Sequence, residues 1–218
     1  MKTALLIGST GLIGKELLSN LLENSQYEKV IIFVRKKSEI IHPKLEQVLV
    51  NFDKIEEVKH LIKGDDFFCT IGTTIKTAGS KEAFRKVDFE YPKQFAQFAQ
   101  ENKVSQFLVI SSLGADEKSN NFYLETKGEL QSFLKSSSFK SVSILQPSLL
   151  LGNRTEFRLG EKMGSVFSKL FSFVFIGSLK KYKPIEAKTV ADAMIKIALQ
   201  NNSGFRIYQS DELEKISK

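Results

Sequence analysis

The sequence predicts an α/β protein built on a doubly wound parallel sheet with helices on both faces. Three observations predict it. Short apolar runs at 4–7, 30–34, 48–50, 67–71, 107–110 and 142–145 are nearly continuous rather than alternating, as in strands buried on both faces. Longer segments with helical spacing separate them. A glycine-rich turn joins the first run to the first such segment.

The elements follow in order. After the strand at 4–7, Ile13, Leu17 and Leu21 recur every four residues, with Leu18 and Leu22 beside them, giving one apolar helix face. Strands two, three and four lie at 30–34, 48–50 and 67–71. Phe84, Val87, Tyr91, Phe95, Phe98 and Ala99 line a long helix before strand five at 107–110, and Leu124, Leu130, Phe133 and Leu134 mark another before strand six at 142–145. Beyond Pro147 the rhythm loosens into a Phe-rich amphipathic stretch over 158–175, a helix over 187–199, a short strand at 205–208 and a helical tail over 211–218. Repeated strand–helix–strand units imply right-handed crossovers.

Composition narrows the function classes. A chain of 218 residues with 42% hydrophobic and 26% charged residues is globular and long enough to fold without disulfides or metal. One cysteine, Cys69, excludes a disulfide framework, and two histidines without cysteine partners argue against zinc, so no metal is expected. Cys69 lies within the fourth apolar run and reads as a core thiol. The first apolar run is broken by glycines and charges too early for a signal sequence, and the stretch over 166–176 is too short for a membrane span. A cytoplasmic protein is expected. The net charge of +7 comes mostly from lysine and, with no nucleic-acid module visible, does not suggest DNA or RNA as a partner.

The most informative residues are Gly8-Ser9-Thr10-Gly11-Leu12-Ile13-Gly14, directly after the first strand and opening the first helix. A strand turning sharply into a helix leaves free N–H groups and the positive end of the helix dipole facing a pyrophosphate. Glycines let the backbone approach the phosphates and let helix and strand pack closely. The hydroxyls of Ser9 and Thr10 add donors. Strand two is followed by Arg35-Lys36-Lys37, about 20 residues past the glycines, where an acid would signal NAD and an Arg accommodates the 2′-phosphate of NADP. NADP(H) is therefore favoured over NAD(H). Asp53, past strand three, is placed either to accept from the adenine amino group or to cap the next helix.

Tyr123 and Lys127 lie four apart on one helix face, after the strand near whose end the reactive part of a cofactor should lie. A free phenol, with a pKa of about 10, is a weak acid–base catalyst at neutral pH, and a nearby ammonium favours its ionised form. Ser111 and Ser112 stand at the C-terminal end of strand five, where doubly wound sheets place ligands.

Together, Gly8, Gly11 and Gly14, the serine pair and Tyr123-Leu-Glu-Thr-Lys127 resemble an atypical short-chain dehydrogenase/reductase of the NAD(P)-binding Rossmann fold. Thr70-Ile-Gly-Thr-Thr74, Ser111-Ser-Leu-Gly-Ala-Asp116 and Asn121-Phe-Tyr123 are most similar to the branch that contains the human Tat-interactive oxidoreductase. The resemblance implies Tyr123 as general acid/base, Lys127 as ribose ligand and tuner of the tyrosine, and Ser112, alternatively Ser111, as the substrate-positioning hydroxyl. It also implies that Gly72 and Thr73 lie against the cofactor and that the segment around Pro147 closes over the nicotinamide. One departure stands out. The Asn that such proteins carry on the long helix has no clear counterpart, Asp88 and Asn102 being poor substitutes.

The expectation is one domain over 1–218, with 147–218 supplying the pocket wall and closing helices. Its function would be NADP(H)-dependent hydride transfer on a small carbonyl or alcohol substrate, as a monomer or homodimer. The alternative is an NADPH-binding sensor or scaffold with little catalysis.

Overall fold

The computed structural model describes residues 1–152 and 177–218. The Phe-rich segment at 166–176 therefore lies outside the described residues. Strands β1 (Lys2–Ile7), β2 (Tyr27–Val34), β3 (Leu45–Leu49), β4 (Asp66–Cys69), β5 (Gln106–Ile110) and β6 (Ser141–Gln146) match the six apolar runs. After them come β7 (Leu150–Leu151), β8 (Ile185–Glu186) and β9 (Gly204–Gln209), the last of these covering the short strand expected near the end. Helices α1 (Leu12–Glu23), α2 (Ile75–Ala78), α3 (Lys81–Arg85), α4 (Tyr91–Glu101), α5 (Phe122–Lys135), α6 (Ala187–Leu199) and α7 (Ser210–Ser217) connect them.

Seven strands form one parallel sheet in the order β3-β2-β1-β4-β5-β6-β9, while β7 and β8 pair separately. The order reverses between β1 and β4, and such a reversal opens a crevice at the C-terminal ends of the strands. Alternate residues feed two cores. Leu6, Ile32 and Leu108 pack against Leu17 and Leu21 of α1 and Val190 and Met194 of α6. Leu5, Phe67 and Phe107 pack on the other face against Phe95 and Ala99 of α4 and Leu130 and Leu134 of α5. There Phe67 stacks on Phe107 with ring centroids 4.9 Å apart.

The expected long helix is not uniform. Between α3 and α4 the chain widens into a π-helical turn, Lys86–Glu90. Pro92 follows and cannot donate to the carbonyl four residues earlier, which its ring would also crowd, so a wider turn relieves the clash.

At the opposite edge of the sheet, the starts of four strands share a buried polar cluster. Asp66 accepts from Tyr27 Oη (2.7 Å), Lys2 Nζ (2.9 Å) and Gln106 Nε2 (3.0 Å). Burial pushes the Asp66 carboxyl up from its ordinary value, against the pull of its donors. This edge fastens the strands together, and the other edge carries the site.

Candidate functional site

Every site residue expected from the sequence falls at the C-terminal edge, because each follows a parallel strand. The turn Gly8–Gly14 is wedged between β1 and β4. Gly8 has φ +91°, and a Cβ there would lie 2.5 Å from the Ile71 nitrogen. A Cβ on Gly14 would lie 2.0 Å from the Gly8 carbonyl oxygen. These two glycines are required by the fold itself. Gly11 differs: the nearest atom to its Cβ would be the Gly8 oxygen at 3.3 Å, and it caps α1 without any side-chain hydrogen bond. The first-turn N–H groups of Leu12, Ile13 and Gly14 thus open onto the crevice without a capping side chain, in the manner that suits a pyrophosphate. Ser9 is buried in the turn and Thr10 is exposed on it.

Arg35 is exposed just past β2. Asp53 does not cap the following helical turn; Asn51 does, its Oδ1 accepting from the Asp53 N–H at 3.0 Å. The capping alternative for Asp53 is thereby overturned. Its carboxylate instead accepts from Tyr91 Oη (2.9 Å) and Lys86 Nζ (3.1 Å). Those bonds, Tyr91 first, hold the Asp53 carboxyl below its ordinary value. The Tyr91 phenol is pushed up to about 12, by burial and then by Asp53, with Arg35 acting in the opposite sense. Arg35, Asp53, Lys86 and Tyr91 therefore share one corner, and the last two were not singled out from the sequence.

Asp88 corrects the sequence reading most. It lies in the π-helical turn, is 1% exposed, and reaches the loop after β4. Its Oδ2 accepts from the Thr73 N–H at 2.8 Å, and its Oδ1 pairs with Lys127 Nζ at 2.6 Å. Gly72 leaves room for this pair, since a Cβ there would lie 3.3 Å from Asp88 Oδ1 and 3.6 Å from Lys127 Nζ. Burial alone would push the Lys127 ammonium down. The Asp88 carboxylate, with Tyr123 second, outweighs burial and raises it. Asn102 plays no such part; its amide donates to the Lys59 carbonyl at 2.7 Å, at the far end of α4. Cys69 is fully buried next to this cluster, and burial pushes its thiol up to about 12.

Tyr123 is half-buried in the first turn of α5, whose cap, Asn121, accepts from the N–H groups of Tyr123 and Leu124. Its ring packs 5.5 Å from Phe84. The two serines differ in their partners. Ser112 is half-buried, with one long contact of 3.4 Å to the Leu113 carbonyl. Ser111 is buried, and its Oγ accepts from Gln131 Nε2 at 2.6 Å. Pro147 is buried just past β6, and the adjacent Ser148 N–H donates to Ser210 Oγ at 2.8 Å. Sequence reasoning also passed over Gly128. A Cβ there would lie 2.1 Å from the Asp116 carbon, so the loop from Ser112 to Asn121 rests directly on α5.

Comparison with known proteins gives the family and the fold. A family model described as NAD(P)H-binding matches residues 8–201. Protein HTATIP2 of Rattus norvegicus is 33% identical over 170 residues, covering 76% of this chain and 70% of that protein. The mitochondrial protein FMP52 of Debaryomyces hansenii is 36% identical over 156 residues, covering 70% and 68%. Among solved structures, the Bordetella bronchiseptica enzyme WbmH in complex with NAD+ superposes with a TM-score of 0.72 at 17% identity, over 100% of this chain and 79% of that one. The oxidoreductase ylbE of Lactococcus lactis gives 0.67 at 17% identity, over 98% and 95%. Among the described residues no helix is long and apolar enough to cross a membrane. Sheet order, glycine turn and sequence converge, and the chain belongs to the NAD(P)H-binding family, with a Rossmann fold.

Proposed function

We propose that this protein is an NADP(H)-dependent oxidoreductase moving hydride between nicotinamide C4 and the carbonyl or alcohol carbon of a small substrate. The observation that supports the reading is the buried Lys127–Asp88 pair, one helical turn from Tyr123 on α5. The open N-terminus of α1 fits a pyrophosphate, and the exposed Arg35 fork fits a 2′-phosphate. Nicotinamide supplies or accepts the hydride. Tyr123 Oη donates the proton to the carbonyl oxygen as that carbon is reduced, and takes it back in the reverse direction. Lys127 holds the ribose hydroxyls and keeps positive charge beside the phenol. Asp88 holds Lys127 in place while its second oxygen fixes Thr73. Ser112 and Ser111 are the two hydroxyls available to the substrate oxygen.

The Asp88 pair also favours a second reading. It neutralises the Lys127 charge beside the Tyr123 phenol, which suits an NADPH-binding sensor or scaffold with little turnover. In both readings residues 147–218 complete the pocket wall, the protein acts in the cytoplasm, and it is a monomer or homodimer.

A screen of aldehydes and ketones for NADPH oxidation, run on the wild type and Tyr123→Phe, separates the two. The enzyme reading expects turnover that falls at least about 100-fold in the variant, the scale of a lost general acid. Turnover untouched by the change removes Tyr123 as the acid. Nucleotide binding with no turnover on any carbonyl favours the sensor.

A further inference from the structure

Two buried glutamines beside the site, Gln131 and Gln146, have no part in the mechanism above. Gln131 lies one turn below Lys127 and two below Tyr123, on the same face of α5. Gln146 ends β6. Both are buried, with 7% and 6% exposure. Gln146 Nε2 donates to Gln131 Oε1 at 3.1 Å, and Gln131 Nε2 donates to Ser111 Oγ at 2.6 Å.

The direction of these bonds matters. An amide oxygen can only accept and an amide nitrogen can only donate; with Gln146 Nε2 on its Oε1, Gln131 turns its own Nε2 to Ser111. With an N–H arriving at Ser111 Oγ, that oxygen is held as an acceptor, and its hydrogen must turn elsewhere. Among the described residues no group accepts it. Ser111 is the first residue past β5, beside the helix face that carries Tyr123 and Lys127, and its own N–H is tied to the Leu145 carbonyl at 2.7 Å. Backbone and hydroxyl oxygen are both fixed. The remaining hydrogen is a preorganised donor, the arrangement that most strengthens a contact to a ligand oxygen.

We propose that Gln146 and Gln131 form a one-way amide relay that holds the Ser111 hydroxyl as a donor to an sp2 oxygen of the bound ligand, with Gln131 as a positioning residue. The proposal rests on the nucleotide-binding reading. Two oxygens share the required chemistry: the carboxamide of the nicotinamide and the carbonyl of the substrate.

Gln131→Glu tests it with little change of shape. At pH 8 a carboxylate at 131 still accepts from Gln146 but takes the Ser111 proton instead of supplying one, reversing the last bond of the relay. Affinities are measured for NADPH or NADH, whichever binds the wild type more tightly, and for the matching ADP-ribose fragment, which lacks nicotinamide. Turnover is measured on benzaldehyde and cyclohexanone. If the carboxamide is the acceptor, Gln131→Glu and Ser111→Ala each weaken the intact nucleotide about fivefold, the worth of one uncharged hydrogen bond, and leave the fragment unchanged. If the substrate carbonyl is the acceptor, nucleotide affinity holds and kcat/KM falls by a similar factor. In either case the double variant is no worse than Ser111→Ala alone, which a merely structural glutamine would not produce. Gln131→Met breaks the relay without a charge and replaces the glutamate variant should that one unfold. Additive losses overturn the proposal, as does unchanged nucleotide affinity with turnover unchanged or absent from the wild type. A wild type that binds neither nucleotide overturns the parent reading and this one together.

Discussion

Replacing Asp88 by Asn isolates the energetics of the cluster. The pair it breaks is buried, with side-chain exposures of 6% for Lys127 and 1% for Asp88 at 2.6 Å, so the small values typical of surface ion pairs do not apply. The carboxamide can still accept from the Thr73 N–H, and the loss is confined to Lys127. Leaving one buried charge unpaired costs about 3 kcal/mol or somewhat more. For a chain of this size that lowers Tm by roughly 10 °C near neutral pH. The pH dependence distinguishes this cause from simple repacking. In the wild type Lys127 is held above its ordinary value, so the pair's stabilisation is complete below about pH 10.4 and is lost as pH climbs through the folded value. Without Asp88, burial dominates and depresses the lysine. The variant then gains stability relative to the wild type as pH rises through that depressed value, because a neutral amine is tolerated there. Thermal melts followed by circular dichroism at pH 7, 8.5 and 10 should show the gap between the two proteins narrowing to less than about half. A gap that is constant with pH, or a drop of under roughly 2 °C at pH 7, would refute the argument.

Arg35→Asp should weaken NADPH far more than NADH in a thermal-shift titration, where ligand at about 100 Kd adds ~2.7 kcal/mol; equal losses would sink the 2′-phosphate assignment. Gly14→Ala, whose Cβ would lie 2.0 Å from the Gly8 oxygen, should lower stability by at least about 2 kcal/mol, whereas Gly11→Ala, with 3.3 Å of room, should cost under about half of that in urea melts. With its thiol pushed up to about 12 by burial, Cys69 should resist iodoacetamide at pH 8 in the folded protein and react once urea unfolds it, as read by mass spectrometry.

Much of the architecture was legible because it depends on patterns that survive in one dimension. Continuous apolar runs located the first six strands, and the turn chemistry of Gly8 to Gly14 located the crevice. Tyr123 and Lys127 were legible because helical spacing alone puts them on one face. Asp88 was not, although a signal existed: it falls on the same stripe as Phe84, Phe95 and Ala99, where a carboxylate needs a buried partner. Its partner is 39 residues away on another helix, and the π-helical turn that aims it depends on Pro92. Gln131 and Gln146 escaped for the same reason. Neutral amides carry no periodic signature, and their roles appear only when α5 is laid against β5 and β6. Gly128 likewise acquires meaning from a loop that crosses it, not from its own neighbours.

The polar cluster at the far edge of the sheet also sets a timetable. Lys2 Nζ donates to the Ala198 carbonyl at 3.3 Å, across a sequence separation of 196 residues. During synthesis at roughly 5–20 residues per second, the first strand emerges well before the helix end that completes its hydrogen bonds. Parallel pairing adds to the delay, since no strand of the seven-stranded sheet can zip onto its neighbour through a tight hairpin. Until α6 and β9 arrive, β1 and β6 present unfinished surfaces to the cell. Folding is therefore expected to be slow and dependent on chaperones, with destabilising changes near Asp66 reducing yield more than they reduce activity.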